Sequence, residues 1–245
     1  MAALKEGPVY DVTVESRALL VDGIDVPVVH ARPDGLPRAG IVVHPDVGGL
    51  RPLFEDMARR LATHGFAVVV FEPFASQPAE SLTSVEARLG AIRELDDDQQ
   101  VEIMDAAADL MVVEDDVSRV SVIGFCMGGH YVFKAAAGDR FDAAVAFYGM
   151  LRTPDAWDGP GHRIAPLAVA GTVAPTLAIF GTNDPWTPAA DIDALRAAWA
   201  QRPDCEIAVF EGAEHGFVHD PDRDAHRAED AAIAWERTLT RVAGD

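Results

Sequence analysis

Three short segments hold side chains able to carry out nucleophilic chemistry. Gly124-Phe125-Cys126-Met127-Gly128-Gly129 lies between an apolar run and a helical one and has the form G-x-nucleophile-x-G. Glycines two before and two after the thiol suit a backbone that packs tightly at a sharp strand-to-helix turn. A cysteine there stands at a helix N-terminus, where the dipole favours thiolate and free N–H groups can receive an oxyanion. The Met127 amide is the natural donor. A cysteine after a buried strand is more often a small core residue, so the motif needs partners: a base, and an acid to orient it. Asp184, in Gly181-Thr182-Asn183-Asp184-Pro185, and His215, in Glu214-His215-Gly216-Phe217, supply both. Alone, Asp184 reads as a turn residue before Pro185 and His215 as a loop histidine. Together with Cys126 they follow three apolar runs in the order nucleophile, acid, histidine. A G-x-G-x-x-G dinucleotide reading fails, because Cys126 stands where the second glycine is required.

The elements that must position these groups alternate along the chain. Val9–Val14 and Ile24–Ala31 predict a leading antiparallel hairpin. The apolar run at Gly40–His44 predicts a strand buried on both faces, and apolar-rich runs at Phe66–Phe71, Arg119–Ile123, Ala143–Tyr148, Thr176–Phe180 and Glu206–Phe210 predict further strands. Between them, helical spacing covers Pro52–Thr63, Val85–Leu95, Asp98–Val113, Met127–Ala137 and Pro188–Ala200, and Asp224–Val242 closes the chain. This predicts one α/β domain over residues 1–245, a mostly parallel sheet with helices on both faces and chemistry outside the carboxyl ends of the strands.

The Gly-Phe-Cys-Met-Gly-Gly, Gly-Thr-Asn-Asp-Pro and Glu-His-Gly-Phe segments resemble the dienelactone hydrolase family of α/β-hydrolases, in a layout that runs through nearly the whole chain. The resemblance implies an α/β-hydrolase fold and an ester- or enol-lactone-cleaving enzyme of the carboxymethylenebutenolidase type. Cys126 would be nucleophile, His215 base and then acid, Asp184 the residue holding the imidazole, and Val47 a second oxyanion amide beside Met127. It also implies an acid contacting the cysteine, for which Asp46 is the candidate, although an Asp before Gly48-Gly49 is as often an Asx-turn former. Two arginines holding a substrate carboxylate are implied as well. Arg88 fits one place, and His219 stands near the other. Tyr148, Trp186 and Phe217 are candidates for the pocket wall, with core packing the rival reading. Two alternatives stay open: a general carboxylesterase or thioesterase, and a non-catalytic redox-sensing module, which would need neither Asp184 nor His215.

Composition bounds the partners. The 245 residues carry 20 Lys and Arg against 40 Asp and Glu, a net charge of −20, with a pI near 4.6. Such a chain repels phosphate backbones and anionic lipid, so neither nucleic acid nor membrane is an expected partner; a small ester or lactone is. Two cysteines, Cys126 and Cys205, are too few for a disulfide scaffold or a four-ligand zinc site, and His44, His219 and His226 lack metal-ligand spacing. No cofactor or metal is expected. Cys205 reads as structural. The first eight residues have no apolar signal core, so a cytoplasmic location is expected.

Overall fold

The computed structural model describes residues 1–9 and 11–244. Eight strands form one sheet: β1 (Val12–Val21), β2 (Ile24–Pro33), β3 (Ala39–His44), β4 (Phe66–Phe71), β5 (Val120–Phe125), β6 (Ala143–Phe147), β7 (Thr176–Gly181) and β8 (Glu206–Phe210). Their spatial order is β1-β2-β4-β3-β5-β6-β7-β8. β1 and β2 pair antiparallel with each other and β2 antiparallel with β4; every later pairing is parallel. β3 through β7 are buried along their whole length, as all-apolar runs require.

The leading hairpin differs from expectation at its first strand. β1 begins at Val12 and runs ten residues to an Asp22-Gly23 turn whose φ values are +48° and +79°, the left-handed pair that a two-residue hairpin favours. Val9 instead donates its N–H to the Thr63 carbonyl, and Tyr10 lies outside the described residues. β1 is an outer strand with several exposed positions, so burial imposes no clean alternation on it.

Helices α1 (Pro52–Thr63), α2 (Val85–Ala91), α3 (Asp97–Glu114), α4 (Met127–Ala136), α5 (Pro166–Val169), α6 (Ala189–Ala198) and α7 (Ala228–Ala243) connect the strands. α1 and α7 cover one face of the sheet, where Phe54, Met57, Leu61 and Trp235 pack on Val68, Ile123 and Phe147. α3, α4 and α6 cover the other, with Met104, Met111, Tyr131 and Leu195 among residues packed with Val42, Val69 and Val122. The helix expected over 85–95 closes as α2 followed by a 3-10 turn at Ile92–Glu94, and the last helix starts at Ala228 rather than Asp224. Among the described residues no helix is long and apolar enough to cross a membrane.

The strand order decides where chemistry can happen. From β3 the chain adds β4 on one side and later β5 on the other, so the loops after β3 and β5 leave the sheet side by side at the point where its winding reverses. His44 pairs with Gly124 across that boundary, and Phe125 with Phe147 on the far side.

Candidate active site

Cys126 caps α4 with φ +56° and ψ −116°, a backbone state that non-glycine residues rarely adopt. The state is held by the Cys126 N–H donating to the Phe147 carbonyl at 3.0 Å and by the first helical bond, His130 N–H to the Cys126 carbonyl at 3.1 Å. A Cβ on Gly124 would lie 2.4 Å from the Gly128 carbonyl oxygen, and one on Gly128 would lie 2.2 Å from that of His44. The start of α4 therefore touches the backbone of the β3–α1 loop, and both glycines are sterically required. The amides of Met127 and Val47 have no hydrogen-bond acceptor among the described residues.

Asp184 and His215 leave the ends of β7 and β8. Asp184 is buried; its Oδ1 accepts from the Trp186 amide at 2.8 Å, and its Oδ2 lies 2.8 Å from His215 Nδ1. The bond to the carboxylate fixes the tautomer: Nδ1–H donates, leaving Nε2 for other work. Nε2 is buried and has no partner of conventional hydrogen-bond geometry. Burial by itself would lower the imidazole pKa. The negative charge of a neighbouring Cys126 thiolate and hydrogen bonding to Asp184 and Cys126 outweigh that, raising it to about 10. Tyr148 (φ +39°) packs its ring edge-on against His215, centroids 5.1 Å apart. Trp186, half of it in solvent at 44%, sits 6.4 Å from His215 and stacks on the buried Trp157.

Other expected residues lie elsewhere or are already engaged. Asp46 Oδ1 accepts from the Gly48 amide at 2.8 Å and from Arg51 Nη1 at 2.6 Å. Its Oδ2 accepts from Arg51 Nη2 at 2.9 Å and His219 Nε2 at 2.9 Å. It forms the Asx turn, and with two donors on each oxygen it has no lone pair left for the cysteine or a substrate. Phe217 has no exposed surface; it packs on Phe210 and Tyr148 in the core, because Gly216, at φ +82°, turns the chain inward after His215. Tyr148 is likewise fully buried, and its hydroxyl bonds to His219 Nδ1. His219 cannot clamp an anion: it is buried, both nitrogens are engaged, and burial lowers its pKa despite Asp46. His44 is also interior, held by Gln100 and the Pro45 carbonyl, with burial pulling its pKa down to about 4.

Arg88 is not a solvated helix arginine. Its Nη1 donates to Glu72 Oε1 at 3.1 Å and its Nε to the Leu82 carbonyl at 3.2 Å. It lines a groove of about 470 Å³ together with Val47, Arg51 and Arg223. Arg223 also lines the adjoining hollow that contains His215, and it makes no ion pair among the described residues. Reading the sequence missed Glu72, Arg51 and Arg223. Glu72 directly follows a strand and could have been found by the same rule that found Cys126. Arg223 carries no local signal.

An eight-stranded, mostly parallel sheet with helices on both faces, a cysteine at a strained strand–helix elbow after β5 and an Asp–His pair after β7 and β8 defines an α/β-hydrolase. Residues 26–243 match the dienelactone hydrolase family, and the chain belongs to it. A Bradyrhizobium sp protein described as a probable 2-oxo-3-(5-oxofuran-2-ylidene)propanoate lactonase is 31% identical over 203 residues, 81% of each chain. The carboxymethylenebutenolidase of Rhodococcus opacus is 28% identical, covering 87% of this chain and 84% of its own. The crystal structure titled "Putative Dienelactone Hydrolase" from Klebsiella pneumoniae superposes with a TM-score of 0.87 at 25% identity, over 96% of this chain and 100% of that one. The chain is accordingly a hydrolase of the carboxylic ester and lactone class.

Proposed function

We propose that the chain hydrolyses an enol-lactone, or a related small ester bearing a carboxylate, through an acyl-cysteine intermediate. The observation that carries this reading is the Asp184–His215 pair beside Cys126, with the imidazole raised to about 10. The Cys126 thiolate attacks the carbonyl carbon, and the oxyanion takes N–H bonds from Met127 and Val47. Collapse breaks the C–O bond, and the His215 imidazolium protonates the departing enol oxygen. Water then gives a proton to neutral His215 and attacks the thioester; the C–S bond breaks and the acid leaves. Asp184 holds the Nδ1–H throughout. A thiolate is itself a good leaving group, so the tetrahedral intermediate goes forward best when the substrate's leaving group is an enolate rather than an amine.

Arg223, on the groove beside Val47 and without an ion pair among the described residues, supports a carboxylate-bearing substrate, because a guanidinium without a carboxylate partner is a ready anion site; Arg88 lines the same groove while paired with Glu72. The partly exposed Trp186 on Trp157 favours a second reading, turnover of neutral aromatic esters. Cys126→Ala should abolish acylation of the protein by activated esters and lactones, observed by mass spectrometry; turnover at the wild-type rate would end the proposal. For the substrate class, Arg223→Ala and Arg88→Ala should raise KM for a carboxylate-bearing dienelactone by about tenfold or more, as loss of a charge-assisted hydrogen bond implies, and leave a neutral p-nitrophenyl ester unchanged. Equal effects on both substrates would favour the neutral-ester reading.

A further inference from the structure

A second hydrogen-bonded chain runs beneath the Cys126–His215–Asp184 cluster. The Tyr148 hydroxyl donates to His219 Nδ1, His219 Nε2–H donates to Asp46 Oδ2 at 2.9 Å, and Arg51 grips both Asp46 oxygens, at 2.6 and 2.9 Å. Its members leave the ends of β3, β6 and β8 and the start of α1, so it ties together three loops whose residues are as much as 173 positions apart. We propose that His219 and Arg51 are positioning residues that fix the Val47 amide as an oxyanion donor by clamping Asp46 between them. This rests on the reading of Cys126 and Val47 given above.

The geometry carries the argument. The N–H of Val47 belongs to the peptide group that begins at Asp46, so fixing the Asp46 side chain on both oxygens fixes one end of that peptide plane. The other end runs into Gly48-Gly49, with Gly49 at φ +65°, a dipeptide that by itself would let the plane rotate. The Gly48 amide, bonded to Asp46 Oδ1, closes the turn from that side. A buried carboxylate and imidazole are costly, and a loop that served only to connect β3 with α1 could be anchored by apolar contacts; polar pairs held this way suit a single required conformation. His219 also packs against the rings of Phe54 and Phe125, with centroids 5.8 and 4.9 Å away.

The test separates oxyanion stabilisation from thiol reactivity. Acylation of Cys126 by p-nitrophenyl acetate needs both, whereas alkylation by iodoacetamide is a displacement at carbon that forms no oxyanion. Loss of a whole oxyanion donor costs roughly 10²–10³-fold, so a loosened one should cost about 10–100-fold. His219→Leu is expected to lower kcat and the single-turnover acylation rate by that factor, with KM within about threefold and the alkylation rate at the wild-type value. His219→Gln, whose amide reaches the same Asp46 oxygen, should recover most of the loss. Arg51 is 29% exposed, so Arg51→Met carries the same comparison if His219→Leu does not fold. Equal losses in acylation and alkylation, no loss in either, or no recovery by His219→Gln would each overturn the inference. Retained turnover in Cys126→Ala would instead overturn the underlying mechanism; a dead Cys126→Ala with normal acylation in Arg51→Met sinks this inference alone.

Discussion

The Asp184→Asn variant tests the electrostatics of the site most directly. In the native protein the carboxylate is out of solvent and 2.8 Å from His215 Nδ1, and it is one of the groups that hold the imidazole up to about 10. A hydrogen bond to a charged group contributes about 1.5–3 kcal/mol. At 1.36 kcal/mol per pH unit, its loss should lower the His215 pKa by roughly one to two pH units. The same energy, lost from a transition state in which the imidazolium protonates the leaving group, slows kcat by about 10–150-fold. The sign follows from which proton is lost. In the proposed mechanism the pair acts while His215 is protonated, so activity falls as pH rises through the His215 value, and it is this alkaline limb of kcat/KM that should move down. The assay is a pH profile of p-nitrophenyl ester hydrolysis for both proteins, with far-ultraviolet circular dichroism to confirm folding. An alkaline limb in the same place for both, or a variant with wild-type kcat, would refute the claim that Asp184 governs His215.

Two further outcomes concern stability. A methyl group on Gly128 would lie 2.2 Å from one backbone oxygen and 2.5 Å from another; since neither can yield cheaply, Gly128→Ala should destabilise by at least about 1–3 kcal/mol. Calorimetry should show a fall in Tm of about 2–4 °C per kcal/mol, and an unchanged Tm would mean that the elbow is looser than its contacts imply. Burial opposes ionisation of Asp46, but His219 and Arg51 hold its carboxyl well below the usual carboxylate range. A depressed folded pKa contributes stability in full above the unfolded value near 4 and loses it as the pH falls. Urea midpoints of wild type and Asp46→Asn should therefore differ at pH 7, with the gap beginning to narrow once the pH falls below about 4; a gap constant down to about pH 3 would contradict the linkage.

The fold was legible where burial leaves no choice. Phe66–Phe71 and Ala143–Phe147 are apolar at every position because both faces of those strands are covered. β1 was misplaced for the opposite reason: as an outer strand it tolerates Glu15, Arg17 and other polar residues, and alternation blurs. At the site, Cys126 stood out because the elbow imposes glycines on the sequence through backbone contacts, which are local. Asp46 and Phe217 stayed open between two readings because the fate of a side chain depends on what another loop brings to it.

The amino-acid order alone specifies which chemical types follow which strand, and with them the elbow, the acid and the histidine, since these are consequences of nearest-neighbour backbone geometry and of strand-by-strand burial. What the folded chain adds is adjacency. Setting β4 and β5 on opposite sides of β3 brings the Asp46–Val47 loop beside Cys126, and the tertiary fold closes Asp46 on His219 across 173 positions. Hydrogen bonds and ion pairs act over a few ångströms, and nothing in a linear spacing of that length encodes which side chains will come within reach.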